Sequence, residues 1–222
     1  MSAQEKRKMI IINNGLCVFF VILSIAFSMA LYGMAEDPIR DPMSKTGDEN
    51  RILFALWGFS TSLAVFFNLH TLARRLNIRS HWFNYPLIAA CIAGTLTTLV
   101  VGLDPLQRAI HIGSAAVFGI AGVLCLLFLL IEKAARKNFI TTSLYILILL
   151  VVGLYFIIST LGQGWFTAQS QALLVGMGLF IMLAANFFEK WQVLTPQDEI
   201  FDELVGLVES EKIIDEKTIS QA

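Results

Sequence analysis

Three residue types able to do acid–base work come close together in this chain. Asp104 and His111 are seven residues apart, which puts His111 about two turns into the helix that Asp104 opens. Ser44 belongs to the most polar segment of the first half, 35–51, with Asp37, Arg40, Asp41, Thr46, Asp48 and Glu49. A histidine oriented by a carboxylate, with a hydroxyl or water to activate, is an arrangement for hydrolysis. His111 is then the base, Asp104 or a loop acid its orienting partner, and Ser44 or water the nucleophile. The same residues can also bind without reacting. Ser44, Thr46, Gly47, Asp48, Asp104, Arg108 and His111 supply the few polar groups that orient a lipid headgroup or another small polar ligand in an outward-facing pocket. Alternatively, His111 and Asp104 simply pin the polar segment in place by hydrogen bonding. Ligand binding is the leading expectation, with a membrane-surface hydrolase or lipid-remodelling enzyme as the alternative. A facilitative transporter is the further alternative, and it requires a polar path through the centre.

Metal chemistry has little to build on. His70 and His81 fall at one end of their helices and His111 near the opposite end of its own, so about 30 Å of hydrocarbon lies between them. Cys17, Cys91 and Cys125 sit inside apolar runs without the spacing of a metal knuckle or redox pair and read as small packing residues. No metal site and no cofactor are expected.

The elements that must position these residues are membrane helices. Of 222 residues 56% are hydrophobic and 15% charged, with a mean hydropathy of +0.70. A soluble domain of this size cannot hide that much apolar surface. Six apolar stretches, about 9–34, 52–72, 82–103, 109–131, 139–161 and 172–188, approach the ~20 residues a spanning helix needs. Runs such as Gly122–Ile131 do not alternate, which excludes barrel strands. The fold expected is all-α: a polytopic six-helix transmembrane bundle over 1–190, followed by an acidic tail, 191–222, with an amphipathic helix. Lys6, Arg7 and Lys8 precede the first apolar stretch, but its length marks a retained helix rather than a cleaved leader.

Thr46-Gly47-Asp48-Glu49 reads as a capping box opening the second span, and Asp104-Pro105 as N-cap and first residue of the fourth. A very short third-to-fourth connection makes those helices antiparallel neighbours. The spacings Gly94/Thr98 and Ala115/Gly119 allow close helix contact. No Asp, Glu, Lys or Arg lies in the middle of a span, which counts against ion-coupled transport. Mid-span Ser24, Ser28, Ser60, Thr61, Ser62, Asn68, Thr95 and Thr97 read as interhelical or i−4 backbone hydrogen-bonding groups.

Charge gives the orientation. Lys6, Arg7, Lys8, Arg74, Arg75, Arg79, Lys133, Arg136, Lys137 and Lys190 fall on one side, against Arg40, Lys45, Arg51 and Arg108 on the other. Ten against four places both termini in the cytoplasm and the Ser44 segment outside a cell membrane. The near-neutral total, 16 basic against 17 acidic residues, gives no field for nucleic acid. The tail carries eight acids and, on one helical face, Ile200, Phe201, Leu204, Val205 and Val208. Anionic headgroups repel such a helix. Docking on the basic cytoplasmic loops, a protein partner, or self-association are its readings; membrane lipids are the partners of the bundle.

The segment Asp41–Arg51 (DPMSKTGDENR), followed by Ile52-Leu53-Phe54, resembles the outer loop of two related six-helix groups. These are the family called domain of unknown function 998 and the DRAM/Frag-type membrane proteins. The stretch Asp104…His111-x-x-x-Ala115-x-x-Phe118 is similar to the one opening their fourth helix. The likeness covers about residues 9–188. It implies the six-helix fold and highlights Ser44, Gly47, Asp104 and His111. For some DRAM/Frag-type members it also implies an association with lipid-anchor remodelling and membrane regulation.

Overall fold

The computed structural model describes residues 3–76, 78, 81–100, 104–136, 139–163 and 167–188. Among them every regular element is helical: α1 (Ala3–Met34), α2 (Met43–Glu49), α3 (Arg51–Arg75), α4 (His81–Leu99), α5 (Pro105–Arg136), α6 (Phe139–Gln163) and α7 (Ala168–Leu183), which runs into a π-helical turn, Ala184–Phe188. Five of these, α1, α3, α5, α6 and α7, are long and apolar enough to cross a bilayer. They mark the chain as a multi-pass membrane protein. The expected third span is shorter than its apolar sequence. Its apolar helical part is Phe83–Leu99, about 25 Å at 1.5 Å per residue, and residues 101–103 lie outside the described set. The acidic tail and its expected amphipathic helix do too.

Helix α3 is the hub, touching α1, α2, α4, α5, α7 and the π turn. Over half of its apolar stretch, 56%, is buried, against 11% for α6. The sequences explain the contrast. Helix α3 carries small and polar residues at its contact positions, whereas the middle of α6, Leu144–Ile158, is mostly aliphatic. The most extensive contacts join α4 to α5, as the short connection and Asp104-Pro105 lead one to expect, and α1 to α3. Asp104 does cap α5: its Oδ1 accepts from the Leu106 amide at 2.8 Å, and Pro105 is the first helical residue.

The close approaches are partly those anticipated. A Cβ on Gly94 meets Ser62 Oγ at 2.5 Å and the Phe118 ring at 2.7 Å, so α3, α4 and α5 converge there. Thr98 occupies the space over Gly58 of α3. Gly119 has nothing within 4 Å; the Ala115/Gly119 spacing does not make the tight contact expected of it. Of the mid-span hydroxyls, Ser24, Ser60, Thr61, Thr95 and Thr97 bond as expected, while Ser28 and Ser62 have no partner among the described residues. Ser24 pairs with Thr61 across α1 and α3 at 2.6 Å, while Thr95 and Thr97 donate to the carbonyls of Cys91 and Ala93.

The capping-box reading of Thr46–Glu49 is overturned. Those residues are helical themselves, in α2, and Asn50 separates α2 from α3. The Asn50 amide donates to Thr46 O at 3.0 Å and its carbonyl accepts from Phe54 N at 3.0 Å. One residue with φ −124° and ψ 59° closes one helix and opens the next. No side chain caps α3.

Candidate functional site

Two polar regions sit at opposite ends of the bundle. The first is the α2 end, where the sequence-predicted residues gather. The loop before α2 is tied to α7 by backbone. Ala168 N donates to Asp41 O at 2.6 Å and Gln169 N to Pro38 O at 2.9 Å. First-turn amides of a helix have no partner in their own helix, and the loop carbonyls satisfy two of them. Gln171 Oε1 accepts from Met43 N at 3.3 Å, and Thr167 caps α7 by accepting from Ser170 N at 3.2 Å. The loop is thereby held over a small apolar nucleus of Leu31, Met43, Phe54, Trp57 and Ala168.

Gly47 faces down onto Phe54 so closely that a Cβ there meets the ring at 2.6 Å. Phe54 in turn lies beside His111, ring centroids 6.3 Å apart, and beside Trp57 at 5.4 Å. The half-buried His111 ring is fixed by Nδ1, 2.6 Å from the Thr97 carbonyl. A carbonyl can only accept, so Nδ1 carries the proton and Nε2 is the acceptor in the neutral ring. Thr97 Oγ1 also lies 3.0 Å from Ser114 Oγ.

The structure therefore brings Gly47, Phe54, His111, Thr97 and Ser114 together. It does not pair His111 with Asp104: the carboxylate is exposed and caps its own helix, while the imidazole takes a carbonyl. Arg108 and Asp48 are exposed, Ser44 is half-buried, and Thr46 is buried on the underside of α2. Lys45 pairs with the loop before α2, 2.9 Å from Asp41 and 3.4 Å from Glu36. The Asp41 hydrogen bond holds its ammonium above the usual lysine range.

Beneath His111 and Phe54, the Trp57 indole N–H and the Ser28 hydroxyl are buried without a partner among the described residues. The α1–α3 contacts Asn13–Thr71, Cys17–Asn68 and Ser24–Thr61 set an antiparallel register. That register places positions 28 and 57 opposite one another. Buried polar atoms are normally satisfied, and these two, at one level, have no partner among the described residues.

The second region, at the π turn, was not anticipated. Lys133 is 1% exposed; its Nζ donates to Ala185 O at 2.9 Å and lies 5.8 Å from the Tyr145 ring centroid. Arg75 donates to Asn186 O and Asn14 Oδ1 and stands over the Phe187 ring at 5.0 Å. Asn186 reaches Asn68 O and Met182 O, each at 3.0 Å, and Asn68 reaches Cys17 O. A π turn displaces carbonyls from regular i→i−4 bonding, and the two cations bond the Ala185 and Asn186 carbonyls. His70 stacks on Phe66, 5.7 Å between centroids.

The chain matches no protein-family model, curated protein or solved structure.

Proposed function

We propose that this membrane protein crosses the bilayer six times, with the α2 end away from the cytoplasm, and that its rim there binds a lipid headgroup without reacting with it. The observation that carries the reading is the fixed imidazole of His111. Its Nδ1 is committed to Thr97 O, so Nε2 is left to accept from a ligand. Arg108 lies one turn earlier on α5 and is exposed, a donor for phosphate. The orphaned Trp57 N–H and Ser28 hydroxyl lie just below. A headgroup with both a phosphate and a hydroxyl or ammonium donor satisfies Arg108 and His111 together. A soluble small molecule of the same chemistry is the competing source.

Hydrolysis draws less support, because neither Asp104 nor Ser44 is hydrogen-bonded to His111 among the described residues. The six-span likeness to the DRAM/Frag-type and domain of unknown function 998 groups is part of the same proposal.

The test uses the full chain in lipid nanodiscs, titrated with glycerophosphoethanolamine. R108A and H111A are each expected to weaken binding about tenfold, the effect of one lost charge-assisted hydrogen bond, while folding stays normal. Unchanged binding in both well-folded variants rules the site out. Turnover of a phospholipid ester that His111→Ala abolishes favours the enzyme. Orientation is tested separately by an impermeant maleimide on Ser44→Cys in intact cells; labelling only after lysis inverts it.

A further inference from the structure

Away from both polar ends, α4 and α5 enclose a lateral groove of about 510 Å³, lined by residues that include Phe83, Pro86, Ala116, Ile120, Ala121 and Phe128. Every lining side chain is apolar. Ala116 and Ala121 leave the space, and Pro86, inside α4, adds a ring without an N–H to satisfy. The groove starts at the π-turn end, where Phe83 and Phe128 stack at 6.4 Å, and runs up α5 to Ala116. Twelve residues of helix make it about 18 Å long, close to the ~15 Å depth of one leaflet's hydrocarbon.

Charge singles out which lipid. Past Phe128, the last turns of α5 carry Lys133 and Arg136 against one acid, Glu132, and the end of α3 carries Arg74 and Arg75 with none. Lys133 and Arg75 are turned to the π turn. Arg74 is exposed, and Arg136 is the last residue of α5.

We infer that this groove is a binding site for one acyl chain of an anionic phospholipid whose phosphate rests among the basic residues at the ends of α3 and α5. Depth and charge both favour that occupant over a second copy of the chain, which needs neither a one-leaflet length nor a basic margin. The site is separate from the His111 rim and stands or falls without it.

The experiment is photolabelling of the full-length protein in nanodiscs with phosphatidylglycerol carrying a diazirine in its acyl chain, read by peptide mapping. Label is expected to concentrate on 83–86 and 116–128. Unlabelled phosphatidylglycerol removes it, and phosphatidylcholine with the same chains does not. Ala121→Trp, which fills the groove, lowers labelling about tenfold. Ala116→Leu, a milder filling, lowers it in the same direction and serves if Ala121→Trp does not fold. Arg74→Gln combined with Arg136→Gln removes the preference for the anionic lipid. Label spread along the lipid-facing side of α6 overturns the inference, as does equal competition by phosphatidylcholine. So does a dimer cross-linked through α4 and α5 in place of label.

Discussion

The two ends of the bundle use polar residues in opposite ways. At the π turn, charges are buried and shared between helices. Lys133 and Arg75 reach carbonyls more than fifty residues away in sequence, and an asparagine chain links α1, α3 and α7. At the α2 end, charges are exposed and pair locally: Lys45 with Asp41 and Glu36, Arg40 with Asp37 at 3.7 Å. A buried hydrogen-bonded cation holds elements together because losing it strands polar groups away from water. An exposed pair is screened and worth little. One end thus holds the helices, and the other leaves its polar groups available to a ligand.

The largest effect expected from breaking this contrast is Lys133→Ala. Removing a charged donor from a buried carbonyl costs about 1.5–3 kcal/mol, and the alanine also gives up the packing of the lysine stem. Thermal unfolding in a fixed detergent should show a clear fall in Tm, with headgroup binding at the rim intact once the protein is folded. A variant as stable as the parent removes the claim that this end carries the fold.

Gly47→Ala comes next and sharpens the picture of the α2 end. Phe54 is 2% exposed and cannot retreat from a new Cβ, so α2 must lift. Overpacking of this kind costs about 1–3 kcal/mol, and a seven-residue surface helix that can shift belongs at the low end of that range. Loosening of Phe54 should also free the His111 ring. The expected signature is weaker glycerophosphoethanolamine binding and a moved His111 resonance in the NMR spectrum. Loss of stability with an unmoved resonance would separate α2 from the histidine.

What the sequence made legible follows from the strength of each signal. Long apolar runs specify helices because the bilayer offers the backbone nothing to bond to, and the runs met their helices within a few residues. Asp104-Pro105 was legible because a cap is a local event between neighbours. The capping-box reading failed because the same residues suit a short helix. What decides is the burial of Thr46 and Gly47 over Phe54, seven residues further on from Gly47. Asp104 and His111 share a helix face without touching, since side chains two turns apart are about 10 Å from one another along the axis. The π-turn cluster was invisible for another reason. Lys133 and Arg75 counted as loop charges in the orientation argument, and nothing in their spacing says they turn inward. Asn186 within an otherwise apolar stretch, with Asn68 and the Asn13-Asn14 pair, was the available clue.

The smallest effect expected is Lys45→Ala. Half of the Lys45 side chain is exposed in both of its ion pairs, and the loop it decorates is already fastened to α7 by two backbone bonds and Gln171. Its raised pKa means that pairing favours the charged form. Folded above its unfolded value, such a group stabilises below the ordinary lysine range and loses that contribution as pH climbs through the folded value. The gain is therefore already constant at neutral pH, and solvent and salt screen it there. Thermal unfolding of Lys45→Ala should coincide with the parent, at low and at high salt. A marked fall in Tm at low salt that added salt erases would mean the exposed charges of the α2 end hold structure after all, and the division of labour between the two ends would need redrawing.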